Sequence, residues 1–251
     1  MEINLAVFGE NHPTIATCYH NIGSVYYNQQ KYNEALQHYK KALDINIKHY
    51  GELHPDVALN YNNIGNIYDN EGRYEKALSF YQKSLDIKTK VYGESHPSVA
   101  TTLNNIASIY KTQRQYERAL DSYNKALMIR KKHLGDKHPD LAAIYSNIGN
   151  VYELFGNNEK ALEFYLKSLD IQIKAFGELH PSLINTYNNI GHIYFKMQRF
   201  EEAHKLYKLT VDISSKQNPM SPLFAEMYMN LAQSLFEQNK YAEAVEAYEK
   251  S

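Results

Sequence analysis

The chain of 251 residues has almost no cysteine and no tryptophan. Its one cysteine, Cys18, can form neither an intrachain disulfide nor a cysteine-based metal cluster. Tryptophan is absent, and the formal net charge of −1 gives no reason to expect affinity for nucleic acid or for an anionic membrane. These absences favour a reducing compartment and exclude partners that are recognised by charge alone.

Long apolar runs and catalytic motifs are missing as well. No apolar run reaches the length of a membrane span, and the N-terminus lacks the basic-then-apolar pattern of a secretory signal. The sequence contains no glycine-rich phosphate loop, nucleophile elbow or helical zinc motif. We therefore expect a cytoplasmic protein with no membrane insertion, no cofactor and no bound metal, and we expect that it is not an enzyme.

A five-residue phrase recurs along the chain at a fixed interval. It reads Gly-Glu-x-His-Pro, with aspartate replacing glutamate in the fourth copy. Its histidines stand 42 residues apart, at His12, His54, His96, His138 and His180. A sixth unit is one residue shorter and carries Asn218-Pro219 and Pro222 instead of the phrase. A fixed period of this size predicts a stack of supersecondary units.

Each period contains two stretches with helical spacing of apolar residues. In the second unit the pattern predicts a first helix from Pro55 to Glu71, broken by Gly72, and a second from Tyr74 to Tyr92, stopped by Gly93. The histidine before each proline is held extended, so it is predicted to cap the first helix rather than bind a metal. Six such helix pairs are expected, packed on one another because neither helix can bury its apolar stripe alone.

Tyrosine occurs 23 times, and 20 of these fall in four positions of the repeat. One first-helix position holds Tyr19, Tyr61, Tyr145, Tyr187 and Tyr228. Tyrosines at such positions are large, half-buried packing residues. The period, the tyrosine positions and the glycine or alanine positions together resemble the tetratricopeptide repeat. The 42-residue form with Asn-Asn-Ile-Gly is similar to the kinesin light chain group. The resemblance covers the whole chain and implies an all-α, right-handed superhelical solenoid of antiparallel helix pairs.

The predicted organisation is one array over residues 1–251. It comprises a partial unit 1–11, units at about 12–53, 54–95, 96–137, 138–179 and 180–218, and a partial unit 219–251. Both ends fall inside a second helix, so Ile3, Leu5, Val7 and Phe8 lack a preceding first helix to cover them. Either the chain is a segment of a longer array, which we favour, or its ends pair with other chains in end-to-end self-association.

Asparagine is concentrated on one side of the first helices. The apolar stripe leaves six positions per first helix, and 14 of these 36 positions hold asparagine, whereas the other 215 residues hold ten. In the second unit the six are Leu59, Asn62, Asn63, Asn66, Asp69 and Asn70. We call these positions in all units the asparagine face, which by resemblance lines a concave groove. The predicted peptide-binding residues are Asn62, Asn63, Asn66, Asn70, Asn104, Asn105, Ser108, Lys111, Asn147, Asn150, Asn188, Asn189 and His192.

An asparagine amide both donates and accepts hydrogen bonds, so a row of them can pair with an extended peptide backbone. The alternative is that asparagine ties adjacent helices together. Both roles stay open for the position of Asn63, Asn105, Asn147 and Asn189. Binding is favoured for Asn62, Asn66, Asn104, Asn150 and Asn188. Of these, Asn62, Asn66, Asn104 and Asn188 are expected to be surplus to helix packing.

The favoured function is therefore a scaffold or adaptor that binds a protein partner, as an extended peptide or a helix, in the concave groove. The alternative is a sensor or regulatory repeat region of a larger multidomain signalling protein, and a third reading is a strut that assembles end to end. Charge on the asparagine face is sparse. The face therefore departs from the carboxylate-clamp class of tetratricopeptide domains, and from the positive lining that kinesin light chains use for acidic cargo peptides.

Overall fold

A computed structural model describes residue 7, residues 9–215 and residues 222–251. Within these residues the chain forms twelve α-helices, one short 3₁₀ turn (Pro181–Leu183) and no strand. The expectations for Ile3, Leu5, Phe8 and the Asn218-Pro219 phrase lie outside the described residues. The helices are α1 (Pro13–Asn28), α2 (Tyr32–Tyr50), α3 (Pro55–Asn70), α4 (Tyr74–Tyr92), α5 (Pro97–Thr112), α6 (Tyr116–Leu134), α7 (Asp140–Leu154), α8 (Asn158–Phe176), α9 (Ile184–Lys196), α10 (Phe200–Ser215), α11 (Pro222–Glu237) and α12 (Tyr241–Glu249).

The predicted all-α array of helix pairs is confirmed. The boundaries predicted for the second repeat agree with α3 to within one residue and with α4 at both ends. The 3₁₀ turn before α9 is one departure from the pattern, because the fifth repeat enters its first helix through a tighter turn. No helix in the described part of the chain combines the length and hydrophobicity that crossing a membrane requires.

The repeated phrase works as a helix cap, as predicted. In all five copies the histidine Nδ1 accepts a hydrogen bond from the backbone N–H two residues later, at 3.2 Å. This bond satisfies a donor that the first turn of a helix leaves unpaired. The glycines that open the phrase end the second helices with positive φ, for example 81° at Gly51 and 83° at Gly93. One phrase therefore ends one helix and starts the next.

The described residues fall into two compact units, one ending at Ile129 and the other beginning at Arg130. In the first unit the core includes Tyr39 and Tyr81 with Ile64 and Ile67. In the second unit one cluster joins Tyr165 to Ile190 and Ile193, which occupy the repeat positions of Tyr81, Ile64 and Ile67. Each unit thus builds its core from the same repeat positions, with tyrosine as the largest component.

Glycines in the first helices make room for these tyrosines. A Cβ atom added at Gly65 would lie 2.6 Å from the Tyr81 ring, and one at Gly149 would lie 2.8 Å from the Tyr165 ring. A Cβ atom at such distances would displace the ring, so glycine allows the rings to cross directly over the first helix. This crossing delivers the tyrosine hydroxyls to the asparagine face.

Candidate functional site on the first helices

Buried tyrosines hold the carboxamides of the asparagine face in fixed orientations. Tyr81 Oη donates to Asn66 Oδ1 at 2.7 Å. The single proton of Tyr165 Oη is shared between Asn150 Oδ1, at 2.7 Å, and Glu153 Oε2, at 2.8 Å. Burial raises the pKa of both tyrosines, so their hydroxyls stay protonated donors. The amide oxygen of both asparagines therefore lies against a hydroxyl, and the NH₂ group has no hydrogen-bond acceptor among the described residues.

Asparagines of neighbouring repeats also bind one another. Asn105 Nδ2 donates to Asn66 Oδ1 at 3.3 Å in the first unit, and Asn230 Nδ2 donates to Asn188 Oδ1 at 3.2 Å in the second. The expectation that Asn66 and Asn188 are surplus to helix packing is wrong, because both accept bonds that join repeats. The bridging role left open for the position of Asn105 is present there.

Asn62 lies inside the junction between the second and third repeats. Its side chain is only 7% exposed, and Thr102 Oγ1 donates to its Oδ1 at 3.4 Å. Thr102 in turn accepts a 2.8 Å hydrogen bond from the Nζ of Lys88, whose pKa is lowered by burial to about 8. The expectation that Asn62 is surplus to packing is also wrong, since little of its side chain is left for a ligand.

Other predicted residues keep more of their polar surface. Asn63 and Asn189 are half-buried, and their side chains have no hydrogen-bond partner among the residues that the structure describes. Asn70 is exposed and donates to Tyr27 Oη at 2.7 Å. Asn104 and Asn147 are half-buried and already engaged within the protein. The asparagine face therefore mixes free amides with fixed ones.

The third repeat places Ser108 and Lys111 on this face. Burial lowers the pKa of Lys111 and raises that of Tyr123 to about 12. Ala107 occupies the position of the packing glycines, and the Tyr123 hydroxyl beside Ser108 does not reach hydrogen-bond geometry. The added methyl group accounts for this, because it stands where the ring crosses in other repeats.

A charged cluster in the second unit was missed from the sequence. The carboxylate of Glu153 accepts from Tyr165 Oη at 2.8 Å and from Lys196 Nζ at 2.7 Å, and it lies 3.3 Å from His192 Nδ1. Burial and the charge of Lys196 lower the pKa of His192, while Glu153 opposes that shift. The only signal was spacing, because His192 and Lys196 lie almost one period after Glu153.

The asparagine face offers hydrogen-bond donors rather than reactive groups. No cluster of three histidine, cysteine, aspartate or glutamate residues that could hold a metal ion occurs in residues 9–215 or 222–251. The arrangement fits the recognition of polar, uncharged groups such as the carbonyls of a peptide backbone.

Family models for the tetratricopeptide repeat match residues 15–56, 56–132, 133–216 and 188–251. No curated protein sequence matches the chain. Among solved structures, BtubC (BKLC) from P. vanneervenii is 25% identical, with a TM-score of 0.74 and coverage of 84% of each chain. Kinesin light chain TPR-like repeats of Podosopora anserina are 21% identical, with a TM-score of 0.70 over 82% of this chain and 98% of that one. The apo form of RapI is 18% identical, with a TM-score of 0.70 over 94% and 96%.

Proposed function

This chain belongs to the tetratricopeptide repeat family, and from that premise we propose that it is a protein-interaction scaffold whose asparagine face binds an extended peptide. The observation that carries the proposal is the orientation of Asn66 and Asn150. Their carboxamide oxygens lie against buried tyrosine hydroxyls, and their NH₂ groups have no acceptor among the described residues, so they are available as donors. Donors fixed before binding cost little conformational entropy when a ligand arrives.

The free amides supply the remaining contacts. Asn63 and Asn189 can each donate to and accept from the same peptide unit, as a neighbouring strand would. The contacts are to the backbone, so the face accepts peptides of varied sequence. Few charges lie on the face, so binding is expected to depend only mildly on salt. The alternative of a regulatory region in a larger signalling protein uses the same face, and the sequence that flanks this chain in its gene decides between the two.

The test starts from an unbiased peptide library displayed on phage. A synthetic peptide from the selection is titrated by calorimetry against the wild type, N63A and N189A. A peptide bound by the first unit should bind N63A about tenfold more weakly, and one bound by the second unit should bind N189A about tenfold more weakly, because the peptide group left unpaired costs about 1–3 kcal/mol. Asn124, an exposed asparagine of a second helix, provides the matched control N124A, for which no change is expected. Failure to select any peptide, or equal affinity for all four proteins, contradicts the proposal.

A further inference from the structure

The third repeat departs from the other repeats at two positions that face each other. Leu103 occupies a first-helix position that is tyrosine in the other five repeats. Ser122 occupies a second-helix position whose other occupants are His38, Phe80, Phe164, Leu206 and Ala247. A large side chain is thus missing on both sides of one contact.

In the first, second and fourth repeats this contact is a stack of three rings. The Phe80 ring lies 5.9 Å from that of Tyr61 and 5.4 Å from that of Tyr68, centroid to centroid. The fourth repeat has the same arrangement around Phe164, and the first has it around His38. The central ring always comes from the second helix and fills the space between two tyrosines of the first.

The third repeat has a cavity at this place. It has a volume of about 410 Å³ and is open to solvent. Its floor is lined by Leu85, Leu103, Ile106, Tyr110 and Ser122, and the polar side chains of Gln82, Glu117, Arg118 and Asp121 line it as well. An apolar cavity of about 150 Å³ is large enough to hold benzene. We call it the third-repeat pocket. It shares no residue with the asparagine face.

We propose that the third-repeat pocket binds an aromatic side chain of a partner protein, which takes the place of the missing phenylalanine. Tyr110 is the stacking partner that remains, since it occupies the position of Tyr68. The guanidinium of Arg118 lies 4.1 Å from the Tyr110 ring centroid and donates to Tyr110 Oη at 2.6 Å. The other repeats thus show which chemistry fits this space.

Charge around the pocket favours a basic residue beside the docked ring. Glu117 lines the pocket and has no ion pair among the described residues, whereas the other two charged lining residues, Asp121 and Arg118, have opposite signs. Lys125 pairs with Asp121 at 2.8 Å. At the equivalent position Lys83 lies 5.5 Å from the Phe80 ring centroid, so Lys125 can also cover a docked ring. The occupant is therefore phenylalanine or tyrosine flanked by lysine or arginine.

The first experiment tests whether a free aromatic group enters the pocket, and whether a ring added to the chain itself blocks its entry. The probe is N-acetyl-phenylalanine amide, followed by NMR through the methyl groups of Leu85, Leu103 and Ile106, with N-acetyl-leucine amide as comparator. The phenylalanine probe should shift these methyls and bind about threefold to tenfold more tightly than the leucine probe. S122F should abolish the shifts, and L103Y is the second filling variant if S122F does not fold. No shift in the wild type, or an equal shift in a folded filling variant, overturns the proposal.

The second experiment identifies the source of the ring. The pentapeptides Gly-Lys-Phe-Lys-Gly, Gly-Glu-Phe-Glu-Gly and Gly-Lys-Leu-Lys-Gly are titrated against wild type and S122F. The first should bind wild type most tightly, and more tightly than the single amide. If N-acetyl-phenylalanine amide binds as tightly as Gly-Lys-Phe-Lys-Gly, docking by a partner polypeptide is overturned. A light-scattering mass that rises with concentration in wild type but not in S122F shows that the occupant is a second copy, which also overturns it.

Discussion

The same junction between repeats is built with different chemistry in the two units. In the first, Lys88 Nζ donates to Thr102 Oγ1 at 2.8 Å, and in the second, Thr186 Oγ1 donates to Gln172 Oε1 at 2.7 Å. The two threonines occupy one repeat position, and so do the lysine and the glutamine. The second unit satisfies its threonine with a neutral amide, whereas the first buries an ammonium group. The repeat therefore fixes the place of a polar bridge and leaves its charge free to vary.

The acidic position of the asparagine face shows the reverse difference. Glu153 in the second unit is held by Lys196, His192 and Tyr165. Asp69, at the same position in the first unit, has no ion pair among the described residues, and burial raises its pKa. The cause lies in the next first helix, where Thr112 and Ser108 stand in place of the lysine and the histidine. The first unit therefore has two charged positions in an unfavourable environment, and the equivalent positions in the second unit are either neutral or paired.

Replacing Lys88 with glutamine should give the largest effect. The lysine pKa falls from 10.5 to about 8 in the folded chain, so the charge penalty is complete below pH 8 and disappears above pH 10.5. K88Q should raise the free energy of unfolding at pH 7 by about 1–3 kcal/mol. The gain should shrink as pH rises toward 10.5, because the unfolded wild-type chain binds more protons in that range. Urea unfolding at pH 7 and pH 10 measures it, and a gain that does not change with pH contradicts the cause given.

Replacing Glu153 and Asp69 with alanine should have different effects on the free energy of unfolding. E153A should lower the free energy of unfolding by about 1–2 kcal/mol, since it removes three contacts of a carboxylate that is only 14% exposed. D69A should leave it unchanged or raise it, because no described partner is lost. Denaturant unfolding of both variants at pH 7 decides. Equal losses would mean that Asp69 has favourable interactions as strong as those of Glu153.

The change in the free energy of unfolding caused by D69N should be smaller than that caused by E153A, and it should depend on pH. The raised pKa of Asp69 means that its charged form is disfavoured in the folded chain, so the penalty appears as pH rises through the folded pKa. D69N should be more stable than wild type at pH 7 by about 0.5–1 kcal/mol, and the difference should vanish near pH 3. Thermal unfolding from pH 3 to pH 7 follows it. If the stability difference between D69N and wild type grows as the pH is lowered, the cause given for it is contradicted.

Supplying Asp69 with the missing lysine should have the smallest effect. T112K places a cation where Lys196 stands in the second unit. The gain should be about 0.2–1 kcal/mol, and it should decrease at high salt, as it does for half-exposed ion pairs. Unfolding curves at low and high ionic strength test it, with T112M as the control without charge.

The helix pairs, their boundaries and the histidine caps could be read from the sequence because each depends on residues within one period. The bonds of Asn66 could not, because they depend on how Tyr81 crosses the helix and on the reach of Asn105, 39 residues away. The missing tyrosine at Leu103 can be read from the sequence, but the sequence alone does not show that it leaves a pocket. The meaning of the pocket required the ring stacks of the other repeats.

The spacing of the inter-repeat bonds has a consequence for synthesis. Even the bonds that join neighbouring repeats, such as Asn70 to Tyr27 and Lys196 to Glu153, span only 43 positions. A helix pair can therefore find its partners as soon as one more period has left the ribosome, after roughly 2–8 seconds of translation. Contacts over short sequence separations form quickly, so each helix pair can fold during synthesis, before the rest of the chain has been made.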